Sequence, residues 1–390
     1  MFKVRTYNAI STKGLEKLPR EGYEVASEIT TPDAILLRSH VLTEDEISPS
    51  VKAIGRAGAG VNNIPVGACT EKGVVVFNSP GANANAVKEI VLTGMLLSSR
   101  GILPGISYVN SLTDMQDSKA MAELLEKEKK RFKGDEIKDK VLGVVGLGSI
   151  GSLVAKMGLS LGMKVIGYDP ALSVEAAWRL PAEVQRMENL VSLLAKADYI
   201  SLHLPVLDST RNLINKETLA NVKKGARLLN FSREEIVDTA SVIASLDAGK
   251  LDRFITDFPR PELLNRDDVI AMPHIGASTD EAEENCAIMA AEQLRDFLEN
   301  GNIVNSVNFP MAKAERNSPY RLTIMNKNVP KMLGSVLSIL ADADINVVDM
   351  LNKSRDEVAY NIIDLAAEPS AEVLDKIRDI PSVIGLRLIA

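Results

Sequence analysis

The stretch Val141-Leu142-Gly143-Val144-Val145-Gly146-Leu147-Gly148-Ser149-Ile150-Gly151 decides the fold. Its first five residues are apolar and rich in valine, the composition of a buried strand. The strand breaks into Gly146-x-Gly148-x-x-Gly151, and Ser152 to Leu161 reads as the helix that follows. A second apolar stretch, Met163 to Tyr168, ends at Asp169, 23 residues after Gly146. Strand, glycine turn, helix, strand and acid form the layout of a dinucleotide-binding βαβ unit. Gly146 permits the tight turn, Gly148 lets a pyrophosphate approach the backbone, and Gly151 lets the helix pack on the strand. Ser149 and Ile150 open the helix, whose free N–H groups attract the pyrophosphate. Asp169 can accept hydrogen bonds from both ribose hydroxyls and would repel a 2′-phosphate, which favours NAD over NADP.

Outward from this unit, Lys164 to Tyr168, Tyr199 to Leu202, Ala226 to Asn230, Arg253 to Asp257 and Val269 to Met272 read as further strands separated by helices. With Val141 to Val145 they predict a doubly wound parallel sheet. Before it, Val25 to Ile29, Ala34 to Arg38, Ala53 to Arg56 and Val74 to Phe77 read as strands of a first α/β unit, and Asn85 to Arg100 as a long helix leading away. Thr279 to Asn300 would be a helix returning the chain to that first unit. The expected domains are 1–84 with 281–311, 85–280, and 319–390. Residues 310–319 carry proline at both ends and read as a linker. Beyond them the strand and helix candidates follow the order βαββαβ. At about seventy residues this last domain would have a small core, and pairing with another copy would cover its faces.

Composition narrows the partners. The chain has 390 residues, 46% hydrophobic and 25% charged, and a net charge of −7. The acidic balance, with no basic block, argues against nucleic acid. Lys127-Glu128-Lys129-Lys130-Arg131, preceded by Glu123 and Glu126, reads as a solvated helix face. No apolar run approaches the ~18–20 residues needed to span a bilayer, and no signal peptide is evident, so a cytoplasmic location is expected. Cys69 and Cys286, without a CxxC or a nearby His, predict neither a metal site nor a disulfide.

His40, His203 and His274 are the only histidines. His274 lies in Pro273-His274-Ile275-Gly276-Ala277-Ser278-Thr279, where a predicted strand enters a loop at the edge that binds ligands in α/β sheets. A histidine there can take a hydroxyl proton near neutral pH. Arg233, after Asn230-Phe231-Ser232, closes another strand at that edge and can grip a carboxylate with both arms of its fork; a surface ion pair with Glu234 or Glu235 is the alternative. Asp257 and Glu262 close the next strand. A carboxylate beside His274 would orient the ring and favour its protonated form.

The set Gly146-x-Gly148-x-x-Gly151, Asp169, Leu202-His203-Leu204-Pro205, Asn230-x-Ser232-Arg233, Asp257 and Pro273-His274-x-Gly276 resembles the D-isomer-specific 2-hydroxyacid dehydrogenases over nearly the whole chain. The resemblance implies an NAD-binding domain inserted in a flavodoxin-like substrate domain, followed by an ACT-like regulatory domain, in a homodimer or homotetramer. It implies NAD-dependent oxidation of 3-phospho-D-glycerate to 3-phosphohydroxypyruvate in L-serine biosynthesis. A dehydrogenase for another D-2-hydroxy acid such as glycerate, and an NADH-sensing binding protein, are the alternatives.

By the same resemblance Arg233 would hold the substrate carboxylate and carbonyl oxygen, and His274 would remove the C2 hydroxyl proton. Glu262 would pair with His274. Asp257 would face the nicotinamide amide. His203, Pro205, Ser232 and Gly276 would line the cofactor. Gly58, Ala59 and Gly60 would bind the substrate carboxylate, and Arg38, Ser39 and Asn83 would touch substrate, with Arg38 the candidate for its phosphate. Asn328 and Asn346 match asparagines that bind a serine effector in regulated relatives. The chain departs from the family in three places. Glu234 follows Arg233 where relatives have Gly. Lys331 replaces the Gly after Pro330. Asp257-Phe258-Pro259-Arg260-Pro261-Glu262 replaces Asp-Val-Phe-x-x-Glu, and a one-residue shift would put Pro261 at the position of the family Glu.

Overall fold

The computed structural model describes residues 1–390, the side chain of Glu175 apart. The chain divides into two compact units, one of Met1–Asn83 with Asp280–Ala390 and one of Ala84–Thr279.

The second unit contains the stretch quoted above. Strands β6 (Val141–Val145), β7 (Lys164–Tyr168), β8 (Gln185–Arg186), β9 (Tyr199–Leu202), β10 (Ala226–Asn230), β11 (Leu251–Thr256) and β12 (Val269–Ala271) form a parallel sheet in the order β12-β11-β10-β9-β6-β7-β8. The order reverses at β6, so the loops after β6 and β9 diverge and leave a crevice at their carboxyl ends. Apolar side chains on the two faces of the strands pack into separate cores, one around Leu193, Leu202, Leu228 and Phe254 and the other around Val91, Met95, Val154 and Leu229. The Ala84–Ser99 helix supplies Val87, Val91 and Met95 to the latter.

In the first unit, β1 (Phe2–Thr6), β2 (Tyr23–Ala26), β3 (Ala34–Leu37), β4 (Ala53–Arg56) and β5 (Val75–Phe77) form a parallel sheet in the order β2-β1-β3-β4-β5, the flavodoxin-like order. The Asp280–Asn300 helix covers one face with Ala287, Ala290, Leu294 and Phe297. Two details differ from the sequence reading. Phe2–Thr6 is a strand that periodicity did not reveal, because only Val4 of it is fully buried. Its neighbour spans Tyr23–Ala26 rather than Val25 to Ile29.

The C-terminal segment is an antiparallel sheet of β13 (Tyr320–Lys327), β14 (Val347–Arg355), β15 (Val358–Leu365) and β16 (Val383–Ile389), in the order β14-β15-β13-β16. Side chains alternate between its faces. Leu322, Ile324, Ile363 and Leu365 pack against helices Met332–Asp342 and Ala371–Arg378. From the opposite face, Met325, Tyr360 and Ile362 join the core of Leu294, Phe297 and Phe309. This sheet is thus built into the first unit.

Arg321, fully buried, secures the junction. Its Nε and Nη2 donate to Asp364 at 2.6 and 2.9 Å, and its remaining donors reach the carbonyls of Asn300, Ala314 and Glu315. Burial alone would raise the Asp364 carboxyl, but the Arg321 bonds hold it below its ordinary value. Arg387 likewise donates to the Phe297 and Leu298 carbonyls at the end of the long helix, where cations are favoured.

Candidate active site

All the chemistry-bearing residues of the second unit follow carboxyl ends of its parallel strands. After β6, Gly146 has φ +89, and a side chain there would stand 2.3 Å from the His203 carbonyl. A Cβ on Gly151 would come within 1.9 Å of the Gly146 carbonyl. Around Gly148 nothing lies within 4 Å of where a Cβ would stand. The turn therefore has two glycines demanded by the protein and one that leaves open space beside exposed Ser149 and half-buried Ile150, at the start of the Ser149–Ser160 helix. Asp169, after β7, accepts from Leu147 N at 2.8 Å and Ala171 N at 3.0 Å, which fixes the carboxylate beside the turn.

His203, after β9, bonds Ser201 Oγ through Nε2 at 2.8 Å. Burial pushes its pKa down to about 3, so the ring is neutral. Its Nδ1 is buried without a partner. Pro205 follows on an exposed loop.

After β10, buried Asn230 shapes the loop from both ends of its amide. It donates to the Arg233 carbonyl at 2.9 Å and accepts from Ser232 N at 3.2 Å. Ser232 Oγ donates to the Leu204 carbonyl. Arg233 Nη1 donates to the Ser232 carbonyl at 2.7 Å; among the described residues no carboxylate pairs with its fork. Glu234 is engaged by Arg260 instead. Asn230 is thus a positioning residue that the sequence reading quoted without assigning it a task.

After β11, Asp257 is 1% exposed. One oxygen accepts from Gly276 N at 2.8 Å and the other is buried without a partner. Burial raises its pKa, against the lowering effects of the Gly276 bond and of the nearby His274 and Arg233 charges. His274, exposed after β12, has φ +43, and its N–H donates to the Asp257 carbonyl at 2.9 Å. Its ring leans on Phe258 with centroids 4.9 Å apart.

Asp257 therefore feels the charges of both His274 and Arg233. Glu262 stands differently. It is exposed in the short turn Pro261–Leu263 and lines a cavity of about 260 Å3 with Asp238, Thr239 and Arg260. Among the described residues no hydrogen bond joins it to His274. Asp257 lies near His274; Glu262 stands five residues beyond Asp257, on the loop that Pro259 and Pro261 shape.

The expected anion-binding residues of the first unit also follow strand ends. Arg38 closes β3, and its Nη2 pairs with Glu283. Ser39 N is taken by Asn8 Oδ1 at 3.0 Å. Gly58 has φ +151, and Arg56 Nη1 lies 1.9 Å from the place of a Cβ there. Ala59 and Gly60 continue this loop, which Asn78 holds by donating to the Ala59 carbonyl at 2.6 Å. Asn83 has a buried Oδ1 without a partner. Arg56 was not singled out from sequence; the Gly-Arg-Ala-Gly run of residues 55–58 was the available signal.

In the C-terminal sheet, Asn328 donates to the Asp356 carbonyl at 3.1 Å, and the Asn346 carbonyl accepts from Ala366 N at 2.9 Å. The register pairs Lys327 with Val358 and Val347 with Leu365. The two asparagines thus stand at opposite ends of the sheet, roughly 27 Å apart by strand rise. Lys331 has φ +72, the left-handed region that glycine occupies without strain.

Sheet order, glycine turn and edge residues together define an α/β dinucleotide-binding protein with an arginine, a buried carboxylate and a histidine at the ligand edge. Residues 106–276 match the family described as D-isomer specific 2-hydroxyacid dehydrogenase, NAD binding domain. The D-3-phosphoglycerate dehydrogenase of Haemophilus influenzae is 31% identical over 385 residues, covering 95% of this chain and 89% of that protein. That of Methanocaldococcus jannaschii is 35% identical over 340 residues, 84% of this chain, but this chain spans only 61% of its length. The NAD-bound 3-phosphoglycerate dehydrogenase of Entamoeba histolytica superposes with a TM-score of 0.61 at 28% identity, covering 79% of this chain and 98% of that one. The chain belongs to the D-isomer-specific 2-hydroxyacid dehydrogenases and carries their NAD-binding domain.

The residues present fit that cofactor. Open space at Gly148, a fixed acid at Asp169 and the unpartnered Asp257 oxygen offer places for a pyrophosphate, a ribose and an amide donor.

Proposed function

We propose that the chain oxidises the C2 hydroxyl of 3-phospho-D-glycerate with NAD, yielding 3-phosphohydroxypyruvate. The observation that carries the phosphorylated substrate is the pair of guanidinium groups, Arg38 and Arg56, at one edge of the first unit's sheet. The relatives of that name support it. NAD, when bound, would supply the hydride acceptor for C2. Arg233 holds the carboxylate and the C2 oxygen and polarises the C–O bond. His274, as its neutral imidazole, removes the hydroxyl proton, and the nearby Asp257 carboxylate, when ionised, stabilises the imidazolium that results. Asp257 would also accept from the amide of a bound nicotinamide.

The two asparagines support an effector site only if a second copy lies antiparallel along β14, bringing Asn346 of one copy to Asn328 of the other. We therefore read the protein as at least a dimer, with L-serine as the candidate effector. The exposed apolar residues Ile106 and Val109, beside a groove lined by Tyr108, Leu125 and Phe132, support further self-association. The buried free thiols, with Cys69 pushed up to about 11 by burial, fit the expected cytoplasmic location.

The test is NADH consumption with 3-phosphohydroxypyruvate, hydroxypyruvate and other 2-keto acids, with and without L-serine. Arg233→Ala and His274→Ala should each lose at least ~10²-fold in kcat/KM. Near-wild-type turnover by either purified variant removes the role assigned to it. Tight NADH binding without turnover of any keto acid would make the protein a sensor.

A further inference from the structure

Arg38, the group assigned to the substrate phosphate, already has an anionic partner. Glu283, in the first turn of the Asp280–Asn300 helix, gives its Oε1 to Arg38 Nη2. The pair joins two elements far apart in sequence, at the strand-end edge where β3 and β4 deliver their arginines. Arg56 Nε donates to the Arg38 carbonyl at 3.2 Å. The absence of a side chain on Gly58 leaves room for the Arg56 guanidinium. Cys286, three residues beyond Glu283, is buried and feels the charges of Arg56, Arg38 and Glu283, so the four side chains form one cluster.

Two explanations compete. Carboxylates are favoured in the first turn of any helix, and Asp280 and Glu281 stand there too. That accounts for acidity but not for the partner. As a stability device the pair has little to offer: the Arg38 and Glu283 side chains are 41% and 39% exposed, and exposed ion pairs contribute little to stability. The same accessibility leaves the pair open to an arriving ligand.

We infer that Glu283 is a specificity-determining residue, an internal counter-ion that competes with the distal phosphate of the substrate for Arg38. This rests on the reading of Arg38 as a phosphate ligand. Before substrate arrives, the carboxylate occupies the guanidinium. A phosphate must displace it, so binding of the phosphorylated acid is weakened by the exchange. A substrate with a neutral distal hydroxyl has little power to displace Glu283 and gains nothing from Arg38. Glu283 thus attenuates affinity for the phosphorylated substrate without touching the reacting carbon, and its effect belongs in KM, not in kcat.

The experiment compares steady-state reduction of 3-phosphohydroxypyruvate and hydroxypyruvate by the wild type, Glu283→Gln, Arg38→Ala and the double variant, with thermal unfolding as a check on folding. Glutamine keeps the size and hydrogen-bonding capacity but removes the charge. Glu283→Gln should lower KM for the phosphorylated acid about tenfold, equivalent to about 1.4 kcal/mol, and raise the preference for it accordingly at unchanged kcat. In the Arg38→Ala background the same substitution should leave the preference unchanged. A wild type that prefers the phosphorylated acid and a Glu283→Gln variant with the same preference overturn the inference and leave the substrate reading standing. Persistence of the effect without Arg38 also overturns it, because Glu283 would then act by plain repulsion. If neither single-site form of the protein with Arg38 intact prefers the phosphorylated acid, the substrate reading falls and takes the inference with it.

Discussion

The task proposed for Asp257 conflicts with its thermodynamics. Its raised pKa means that the folded chain holds this proton more tightly than the unfolded chain. Its contribution to stability is present below the ordinary carboxylate pKa of ~3.9 and is lost as pH rises through the folded value. Near neutrality a buried carboxylate with one unpartnered oxygen is therefore a liability, which the proposed ligand contact would account for. Asp257→Asn should raise the melting temperature at neutral pH, flatten the decline of stability above pH ~4, and weaken NADH binding at least ~10-fold. Calorimetry across pH and a fluorescence titration with NADH check both halves; a destabilised variant with intact NADH affinity would contradict them. At this scale the sequence was legible where a residue ends a strand. Arg233, Asp257 and His274 follow carboxyl ends of β10, β11 and β12, and strand ends are what hydrophobic patterning marks. Glu262 is tied to the set by the family spacing alone, because it lies on a proline-bearing loop and not at a strand end. Arg56 escaped notice because its setting depends on a neighbouring absence, the missing side chain of Gly58.

Among the elements, the turn after β6 separates structural from functional glycine. Gly151→Ala drives a Cβ into the Gly146 carbonyl, a contact at 1.9 Å that forces the helix off the strand. Gly148→Ala meets no protein atom within 4 Å. The expected outcomes diverge: Gly151→Ala lowers the melting temperature by several degrees, on the scale of ~1–3 kcal/mol for overpacking, whereas Gly148→Ala melts with the wild type and loses NADH affinity at least ~10-fold. Equal effects on melting would show that both glycines serve packing. Strands buried on both faces were readable as apolar runs, which is why β6, β7, β9 and β10 stand where patterning put them. β1 was not readable, because Lys3 and Arg5 alternate with Phe2 and Val4 over a span too short for periodicity to register. The Met332–Asp342 helix begins after Lys331 turns the chain through a left-handed conformation.

At the scale of the molecule, patterning gave the C-terminal βαββαβ order but not the destination of its second face. Met325, Tyr360 and Ile362 meet Leu294 and Phe297 of the helix begun at Asp280, where the sequence reading expected another copy to cover the faces. Nothing in local sequence shows that Arg321 will be buried against Asp364 and three carbonyls, since a lone arginine in a strand normally faces water. A consequence of this construction appears during synthesis. The unit of Ala84–Thr279 is contiguous and is complete once Thr279 has left the ribosome. The other unit is assembled from both ends of the chain, so β1 to β5 emerge first yet wait for the helix at Asp280 and for β13 to β16 before their exposed apolar face is covered. Such distant closures are slow. Pulsed hydrogen exchange during refolding should therefore protect β6, β9 and β10 before β1, β3 and β4, and simultaneous protection would contradict that order. The earliest-made part of the chain is the last to be shielded from chaperones, proteases and other copies of itself.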